Sequence, residues 1–555
     1  MLKKTYVTIL MLLACSLFAQ SNTWNPVWSM GQLPFQDPGV GSNLAIIKAG
    51  FDSDKDGKGE FLIAYTEYDS NYVIMYEAQG DNDYQLVWYW KVPIQTNSFI
   101  AITIGDLDGN GKDEIVAGLP AVTDTERPNP DRLYVFEWNG TVGENAYGNF
   151  DGTAYQPHSS FNCELPDLTD FRPYSMQIED IDNDGTNELI MGIRQGGRGR
   201  EIMVLSLTGE FVGFGTWVIE YNLTGLSGGA LYSVTTGDLD NDGKKEIYGL
   251  LWNMFSLYIV EATGPNQYEY VKDMTAVMSA GGIDYGSLEG VRVADVNNDG
   301  VNEMYIACTE PNNAIFVVSN IADISFLTVD DIKPLMKIER KAGGKLRTLY
   351  VTDPDKDGKM DLMIGGEANG RIFDLEYKGT GAPTDSASWE INVAFDLFQY
   401  AGFDPAASPT ISPRFFYGYP ANDMDGDGKN EYCFINYSTD FDVWTEDKYI
   451  WIIEAEPGTG VEDNAILPTT NYLAQNYPNP FNPNTTISFN ILTAGQVNLT
   501  VYDMLGREVA VLVNDMLTAG THHVNFDASK LTSGVYMYKI TSGSFQQTKK
   551  MMLVK

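Results

Sequence analysis

Seven acidic segments between residues 52 and 431 carry the side chains best suited to chemistry. Each has a carboxylate or an amide at positions one, three and five, a glycine at position six and a carboxylate at position nine. Oxygen ligands at this spacing suit Ca²⁺, a hard cation that takes roughly six to eight oxygens. The sequence therefore predicts up to seven calcium sites, in segments that we call acidic loops one to seven. The predicted ligands are Asp52, Asp54, Asp56 and Glu60; Asp106, Asp108, Asn110 and Glu114; Asp180, Asp182, Asp184 and Glu188; Asp238, Asp240, Asp242 and Glu246; Asp295, Asn297, Asp299 and Glu303; Asp353, Asp355, Asp357 and Asp361; and Asp423, Asp425, Asp427 and Glu431.

The glycine at position six is expected to turn the backbone at positive φ, which glycine adopts without a Cβ clash. A set of Asx-type turns that close hairpins without metal is the alternative. Such turns do not need a carboxylate at position nine, so the pattern favours metal binding. Asn110 and Asn297 replace a carboxylate by a neutral oxygen, and we expect weaker binding in loops two and five.

The elements that must position these loops are short β-strands. A β-rich run enters each loop, two apolar runs follow it, and a fourth run in several units carries tryptophan or tyrosine. The loop starts are 54 to 74 residues apart, so the unit repeats seven times. Four strands per unit predict an all-β fold, a seven-bladed β-propeller over residues 20–456.

The seventh unit lacks a fourth strand of its own, because Pro457 and Gly458 interrupt the pattern after 449–455. The segment 24–30 (WNPVWSM) precedes the first unit and has the character of a displaced fourth strand. We expect it to complete the last blade and so remove an exposed sheet edge. A disordered leader is the alternative.

The repeated units resemble the FG-GAP or VCBS repeats of integrin-type propellers, and GDLDGNGKDEIVAG at 105–118 is the closest copy. The resemblance covers residues 24–456 and implies a propeller with structural Ca²⁺. The family includes adhesion proteins, lectin-like modules and some polysaccharide-degrading enzymes, so the fold does not choose among these functions.

The C-terminal region, 471–555, follows a linker at 457–470. It contains LAQNYPNPFNPNTTISFNI, VYDMLGREV and LTSGVYMYKI in that order. These blocks resemble the type IX secretion sorting domain of Bacteroidota and their relatives. The resemblance implies a small Ig-like β-sandwich that interacts with the type IX machinery and carries its cargo through the outer membrane.

The N-terminal region predicts a secretory signal peptide over 1–19. Lys3 and Lys4 precede an apolar stretch at 7–18 that is short for a membrane span, and Ala19 is the expected cleavage site. Lipidation of Cys15 is an alternative. No other segment is apolar enough to cross a bilayer. The net charge of −39 argues against nucleic acid or an anionic membrane surface as a partner.

Ligand-binding candidates lie on the propeller face opposite the acidic loops, where strand two-to-three loops and blade-to-blade connections are expected. Arginine and aromatic side chains there suit an acidic sugar chain or a protein partner. Packing between blades is the alternative. The candidates are Arg194, Arg198, Arg200, Trp252, Phe255, Arg371, Tyr437 and Trp444. Insertions at 140–170 and 378–413 are further places where function could reside.

Evidence for catalysis in the sequence is thin. His158 is the one histidine outside the C-terminal region, and it has no identifiable partners for a nucleophilic triad. The sequence favours a secreted or cell-surface module that binds glycan or protein ligands, placed at the extracellular face of the outer membrane. A secreted polysaccharide-active enzyme, either a lyase or a glycoside hydrolase, is the alternative.

Overall fold

A computed structural model describes most of the chain in two compact units, Met1–Gly458 and Thr459–Lys555. The described residues are 24–36, 43–66, 70–93, 100–120, 130–165, 170–196, 198–209, 216–227, 230–252, 256–280, 285–310, 313–338, 344–368, 370–402, 412–437, 447–456, 472–473, 476, 479, 481–491, 495–517, 520–543 and 545–555. The predicted signal peptide and linker lie outside these residues.

The first unit consists of four-stranded antiparallel groups, which we call blades one to seven. The chain begins with β1 (Trp24–Met30). Blade one contains β2 (Asn43–Phe51), β3 (Glu60–Thr66), β4 (Asn71–Gly80) and β5 (Asp83–Lys91); blade two contains β6 (Ala101–Gly105), β7 (Glu114–Gly118), β8 (Leu133–Glu137) and β11 (Ser159–Phe161), with a separate hairpin of β9 (Asn149–Phe150) and β10 (Tyr155–Gln156) between its last two strands. Blade three contains β12 (Phe171–Glu179), β13 (Glu188–Gly196), β14 (Arg200–Thr208) and β15 (Thr216–Leu226); blade four contains β16 (Ala230–Gly237), β17 (Glu246–Trp252), β18 (Ser256–Gly264) and β19 (Gln267–Asp273); blade five contains β20 (Tyr285–Ala294), β21 (Glu303–Glu310), β22 (Ala314–Ser319) and β23 (Lys333–Lys337). Blade six contains β24 (Lys345–Thr352), β25 (Asp361–Glu367), β26 (Arg371–Tyr377) and β27 (Trp389–Asp396), and blade seven contains β28 (Tyr417–Ala421), β29 (Glu431–Ile435), β30 (Ile450–Ala455) and β1. Short helices occur at α1 (Thr275–Ala280) and α2 (Leu397–Tyr400), with 3₁₀ turns at Ile324–Phe326, Val329–Asp331 and Ser386–Ser388.

The blades contact one another in a closed order. The first strand of each blade contacts the first strand of the next, and β28 of blade seven contacts β2 of blade one. A single parallel bridge between Glu289 and Thr348 also joins blades five and six. We interpret this closed order as a seven-bladed propeller in which every acidic loop connects strands one and two of its blade. The all-β prediction is confirmed.

Blade seven takes its fourth strand from the beginning of the described chain. In the structure, β1 pairs antiparallel with β30, with Trp24 opposite Ala455 and Met30 opposite Ile450. The indole Nε1 of Trp24 also donates a buried hydrogen bond to Asp374 Oδ2 in blade six, at 2.9 Å. The N-terminal strand therefore connects blade seven to its neighbour as well as completing it.

The hydrophobic core lies between the blades. The third strand β8 is buried along its whole length, whereas the fourth strand β19 contains only exposed and half-buried residues. A continuous apolar run is expected where both faces of a strand pack against neighbours, and alternation where one face meets water. The position of a strand within its blade thus explains its pattern in the sequence.

The second unit contains two sheets around one apolar core. The smaller sheet is formed by β31 (Tyr472–Leu473), β32 (Asn484–Ile491) and β35 (Gly520–Asp527). The larger sheet is formed by β33 (Gly495–Tyr502), β34 (Glu508–Leu517), β36 (Gly534–Ser542) and β37 (Phe545–Leu553). We interpret the pair as a β-sandwich, and its Ig-like character stays a prediction. Across both units, the described residues include no helix long and apolar enough to span a membrane.

Candidate metal centres and ligand surface

All seven acidic loops share one internal hydrogen-bond pattern. The amide of the position-six glycine donates to Oδ2 of the first aspartate, at 2.8 to 3.1 Å. The amide of residue seven donates to Oδ1 of residue five, at 2.8 to 2.9 Å. These bonds hold the oxygens of positions one and five toward the inside of the loop.

The backbone turns twice through left-handed conformations in each loop. The glycine at position six has φ between 83° and 97° in all seven copies, which confirms the expected positive φ. A Cβ at Gly57 would meet no atom within 4 Å, so the backbone angle rather than crowding favours glycine there. Position four is also left-handed throughout, from 57° at Asn298 to 80° at Gly426. The asparagine and glycine residues at position four could have predicted this second turn, because both residue types tolerate positive φ.

The ninth-position glutamates are buried and only half hydrogen-bonded. In loop two, Glu114 is fully buried, and its Oε2 accepts from the Leu107 amide at 2.7 Å. Its Oε1 has no hydrogen-bond partner among the described residues. Glu60, Glu188, Glu246, Glu303 and Glu431 likewise each leave one buried oxygen without a described partner. Six loops therefore present a buried carboxylate oxygen that lacks a donor.

This arrangement fits a cation. Burial raises the pKa of Glu114 to about 9 and that of Glu246 to about 8, since a buried carboxylate is costly without a compensating charge. In loop seven, Asp423, Asp425, Asp427 and Glu431 can each offer an oxygen, and these oxygens lie within 4.8 Å of one another. A divalent ion at that point would supply the charge and the ligand that the orphaned oxygens lack.

Loop six departs from the other loops. Its second residue is Pro354, which has no amide hydrogen to donate to the ninth position. The shorter Asp361 occupies that position and is 1% exposed. Burial and the neighbouring Asp374 carboxylate raise the pKa of Asp361 well above its ordinary value. Asp374, in turn, is the residue that accepts from Trp24 of β1.

Five loops carry an ion pair that the sequence analysis missed. A lysine at position seven contacts a glutamate on the third strand, which lies opposite the ninth-position carboxylate. The pairs are Lys58–Glu77, Lys112–Glu137, Lys244–Glu261, Lys359–Glu376 and Lys429–Glu454, at 2.8 to 3.8 Å. Loops three and five have Thr186 and Val301 instead, and their third strands carry Ser206 and Ser319. The sequence could have predicted these ion pairs, because the lysine at position seven and the glutamate on the third strand occur in the same units. Like charges opposite each other in a sheet need such compensation.

Side chains also connect successive loops around the ring. Position four donates to the glycine carbonyl of the next loop in four places: Lys55 to Gly111, Asn183 to Gly243, Asn241 to Gly300 and Lys356 to Gly428. Position eight donates back to the first carbonyl of the preceding loop in four places: Asn187 to Asp106, Lys245 to Asp180, Asn302 to Asp238 and Asn430 to Asp353. In loop six, position eight is Met360, which has no polar group for such a bond.

Four third-position aspartates accept hydrogen bonds from the following blade. The donors lie in the connection between strands three and four: the Asn82 amide to Asp425, the Asn266 amide to Asp182, the Ile324 amide to Asp240 and Asn145 Nδ2 to Asp54. Asn145 belongs to the 140–170 insertion, whose buried Tyr147 also contacts Ser53 of loop one. This part of the insertion therefore supports a cation loop of its neighbouring blade.

The predicted ligand residues have different environments. Arg198 forms an ion pair with Glu201, with Nη2 and Oε2 2.9 Å apart, and Arg371 forms one with Asp396, with Nε and Oδ2 2.7 Å apart. Arg200 is half-buried on β14. The Trp252 side chain, Phe255 and Trp444 lie outside the described part of the structure.

Arg194 and Tyr437 lie in two groups of aromatic and guanidinium contacts, Tyr174, Arg194 and Tyr232 in one and Arg347, Arg414, Phe416 and Tyr437 in the other. We call them together the arginine–tyrosine cluster, because the charge of Arg194 acts to lower the pKa of Tyr437 and that of Arg347 acts to lower the pKa of Tyr232. The Arg194 guanidinium lies over Tyr174 and Tyr232, 5.0 and 5.2 Å from the ring centroids, and its Nη1 donates to the Tyr174 hydroxyl at 3.0 Å. Five of these seven residues were not predicted, because they come from strands distant in the sequence.

These features define a class: an all-β repeat protein with acidic loops in its first unit and a smaller β unit after it. Residues 52–117 and 180–249 match the FG-GAP-like repeat, and residues 475–555 match the secretion system C-terminal sorting domain. The chain thus contains FG-GAP-like repeats and a type IX sorting domain, and both recognitions from the sequence are confirmed. The sorting domain indicates export by the type IX system, so the protein is extracellular or attached to the cell surface.

Three of the solved structures that match this chain are distant from it in sequence. An Agrocybe aegerita lectin described as recognising non-reducing terminal N-acetylglucosamine is 13% identical, with a TM-score of 0.38, over 66% of this chain and 82% of the lectin. A Chaetomium thermophilum Polycomb Repressive Complex 2 chain is 9% identical, with a TM-score of 0.43, over 79% and 98%. The Bombyx mori GH32 β-fructofuranosidase BmSUC1 is 12% identical, with a TM-score of 0.27, over 96% and 89%. At these TM-scores the matches carry no argument about function, and the search of curated proteins found no match.

Proposed function

We propose that this protein is an exported, calcium-stabilised propeller that binds a glycan or protein ligand outside the cell. The observation that carries the calcium part is the buried, half-satisfied glutamate of six acidic loops. The binding part is supported by the arginine–tyrosine cluster, which contains two of the ligand candidates. Adhesion at the extracellular face of the outer membrane is the role that this combination favours.

Calcium would be held by positions one, three, five and nine of each acidic loop, with up to seven ions in all. Its charge would offset the carboxylates of each loop and so allow the ninth-position side chain to stay ionised in the core. The position-six and position-seven amides already hold the carboxylates in place. Extracellular calcium is plentiful enough to fill loops of modest affinity.

A substitution that removes the charge but keeps the shape of the side chain tests calcium binding, because its effect on the free energy of unfolding depends on whether calcium is present. Glu114→Gln keeps the shape of the side chain and an acceptor for the Leu107 amide, but it removes the buried charge. We expect the variant to bind one ion fewer than the parent. Its free energy of unfolding should be lower than that of the parent in calcium, and equal or higher in EDTA. A loss of stability of the same size in both buffers would contradict a cation at this glutamate.

The binding role is tested by presenting the calcium-loaded protein to glycan and peptide arrays and measuring turnover of the polysaccharides that it retains. Retention without turnover supports a binding module. Turnover would favour the alternative, a secreted polysaccharide-active enzyme. Absence of both retention and turnover on a broad array would overturn the proposed binding role.

A further inference from the structure

The arginine–tyrosine cluster is assembled from opposite sides of the ring. Tyr174 and Arg194 come from blade three and Tyr232 from blade four. Arg347 comes from blade six, and the remaining members lie beside β28 and β29 of blade seven. In the closed order of blades, three and four lie across the ring from six and seven. The cluster therefore spans the axis of the propeller.

The blade-six and blade-seven members of the cluster contact one another. The Arg347 guanidinium lies 5.7 Å from the centroid of Phe416, whose ring centroid is 5.1 Å from that of Tyr437. Burial raises the pKa of Tyr437, and the charges of Arg414 and Arg194 act in the opposite direction. The members lie at the strand ends remote from the acidic loops, since β24 begins near Arg347 and β29 ends before Tyr437.

Among the described residues of the cluster and their partners, positive charge exceeds negative charge. Arg347 forms an ion pair with Glu367, to which its Nε donates at 3.1 Å. Arg194 and Arg414 have no ion pair with any carboxylate among the described residues; their contacts are with Tyr174, Tyr232 and Tyr437. Within the described part of the chain, two guanidinium groups thus have no carboxylate partner, although the net charge of the protein is −39. Such a local excess attracts anionic groups into an otherwise repulsive surface.

Aromatic rings lie beside these charges. Phe416 and Tyr437 are half-buried, with 32° between their ring planes, and Arg414 lies 5.8 Å from the centroid of Tyr437. Half-buried rings offer an apolar face to the C–H face of a sugar, and a guanidinium fork pairs with a carboxylate or sulfate group. An acidic peptide would satisfy the charges but would leave the rings without a flat partner.

We propose that the arginine–tyrosine cluster binds an acidic sugar chain, a glycan whose rings bear carboxylate or sulfate groups, at the strand ends remote from the acidic loops. This inference rests on the proposed binding function and names the ligand class of that function. Arg414 and Arg194 pair with the acidic groups, and Phe416 and Tyr437 contact the sugar rings.

Titration calorimetry on the full secreted chain with calcium tests the proposal. The probes are an oligogalacturonate for the carboxylate, a sulfated oligosaccharide for the sulfate, a neutral oligosaccharide of similar length, and polyglutamate for the acidic peptide. We expect Arg414→Gln to weaken binding of the acidic glycan about tenfold, the effect of one lost charge-assisted hydrogen bond. Arg194→Lys keeps the charge but loses the fork, and it should weaken binding in the same direction. Lys337→Gln is the matched control, because it removes one positive charge from an exposed site on the outer strand β23.

The outcomes separate this inference from the function on which it rests. Tighter binding of one acidic glycan than the other identifies the anionic group. Equal affinities in Arg414→Gln and Lys337→Gln would overturn the site, as would polyglutamate binding at least as tightly as the acidic glycans. Binding of the neutral glycan alone, unchanged in all variants, would overturn the ligand class but leave the binding function. If folded, calcium-loaded protein binds no probe, the acidic-glycan inference fails, and the broad array decides whether the binding function fails with it.

Discussion

The hydrogen bonds between neighbouring acidic loops predict that opening of one loop depends on the next. Asn302, at position eight of loop five, donates from Nδ2 to the Asp238 carbonyl of loop four at 2.5 Å. The reverse contact comes from Asn241, whose Nδ2 donates to the Gly300 carbonyl at 3.2 Å. Asn302→Ala is the cleaner perturbation, because Asn241 has a left-handed φ of 58° that alanine would strain.

The size of the effect follows from the single bond that is lost. A partly buried hydrogen bond contributes about 1 kcal/mol net, which corresponds to about a fivefold change in an opening equilibrium. Hydrogen–deuterium exchange measures that equilibrium locally. In the presence of calcium, we expect the Gly243 and Gly300 amides to exchange about fivefold faster in Asn302→Ala. The corresponding amide of loop seven, Gly428, should be unaffected.

Met360→Ala provides the matched control. Met360 occupies the same position eight in loop six but has no polar group to reach loop five. Its replacement should leave exchange in loop four unchanged; loop five is not part of this control, because Met360 packs against the apolar cluster that contains Val296 of that loop. Equal exchange of the loop-four amides in Asn302→Ala and Met360→Ala would refute the reasoning. An acceleration spread evenly over all seven loops would refute it too, since that would report global destabilisation rather than a local link.

Three further predictions concern closure of the ring and its ions. Gly59→Ala should lower the free energy of unfolding by about 1–3 kcal/mol in chemical denaturation, because a Cβ there would come within 2.6 Å of Met424 in blade seven. An unchanged denaturation midpoint would show that Met424 moves aside without a free-energy cost. Trp24→Phe should also destabilise the protein, by about 1–3 kcal/mol, since it removes the indole donor from the buried Asp374 while keeping an aromatic ring; thermal unfolding indistinguishable from the parent would contradict a role for that bond. Chelation with EDTA should lower the melting temperature of the full chain, and added calcium should restore it, whereas an identical melting curve in EDTA would argue against filled structural sites.

Much of the candidate metal site was predictable because its determinants lie within nine residues. The order of carboxylates, the position-six glycine and the ninth-position acid all follow from local spacing, and the structure gives them the hydrogen bonds that such spacing allows. Loop six was harder to predict. Pro354 and Asp361 were visible in the sequence, but the importance of their difference depends on Asp374 from another strand and Trp24 from another blade.

The ligand surface was predictable only in outline. Residue type and loop position pointed to both Arg194 and Arg198 without distinguishing them, although one lies in the cluster and the other forms an ion pair with Glu201. The distinction depends on which side chains of other strands come near. Tyr232 of blade four meets Arg194 of blade three, and Arg347 of blade six meets Phe416 beside blade seven, only when the blades pack together. No local sequence pattern predicts these contacts.

The sequence by itself therefore determined the repeat, the acidic loops, the strand pattern and the sorting domain, because each depends on spacing, backbone preference and alternation over short stretches. The tertiary structure alone decided which loops support one another and which arginines gather at the axis. The bond from Asn302 to Asp238 and the contact of Arg347 with Phe416 join residues far apart in the chain. Such contacts form only when the blades pack in a closed order, since packing then brings together side chains that no local rule relates.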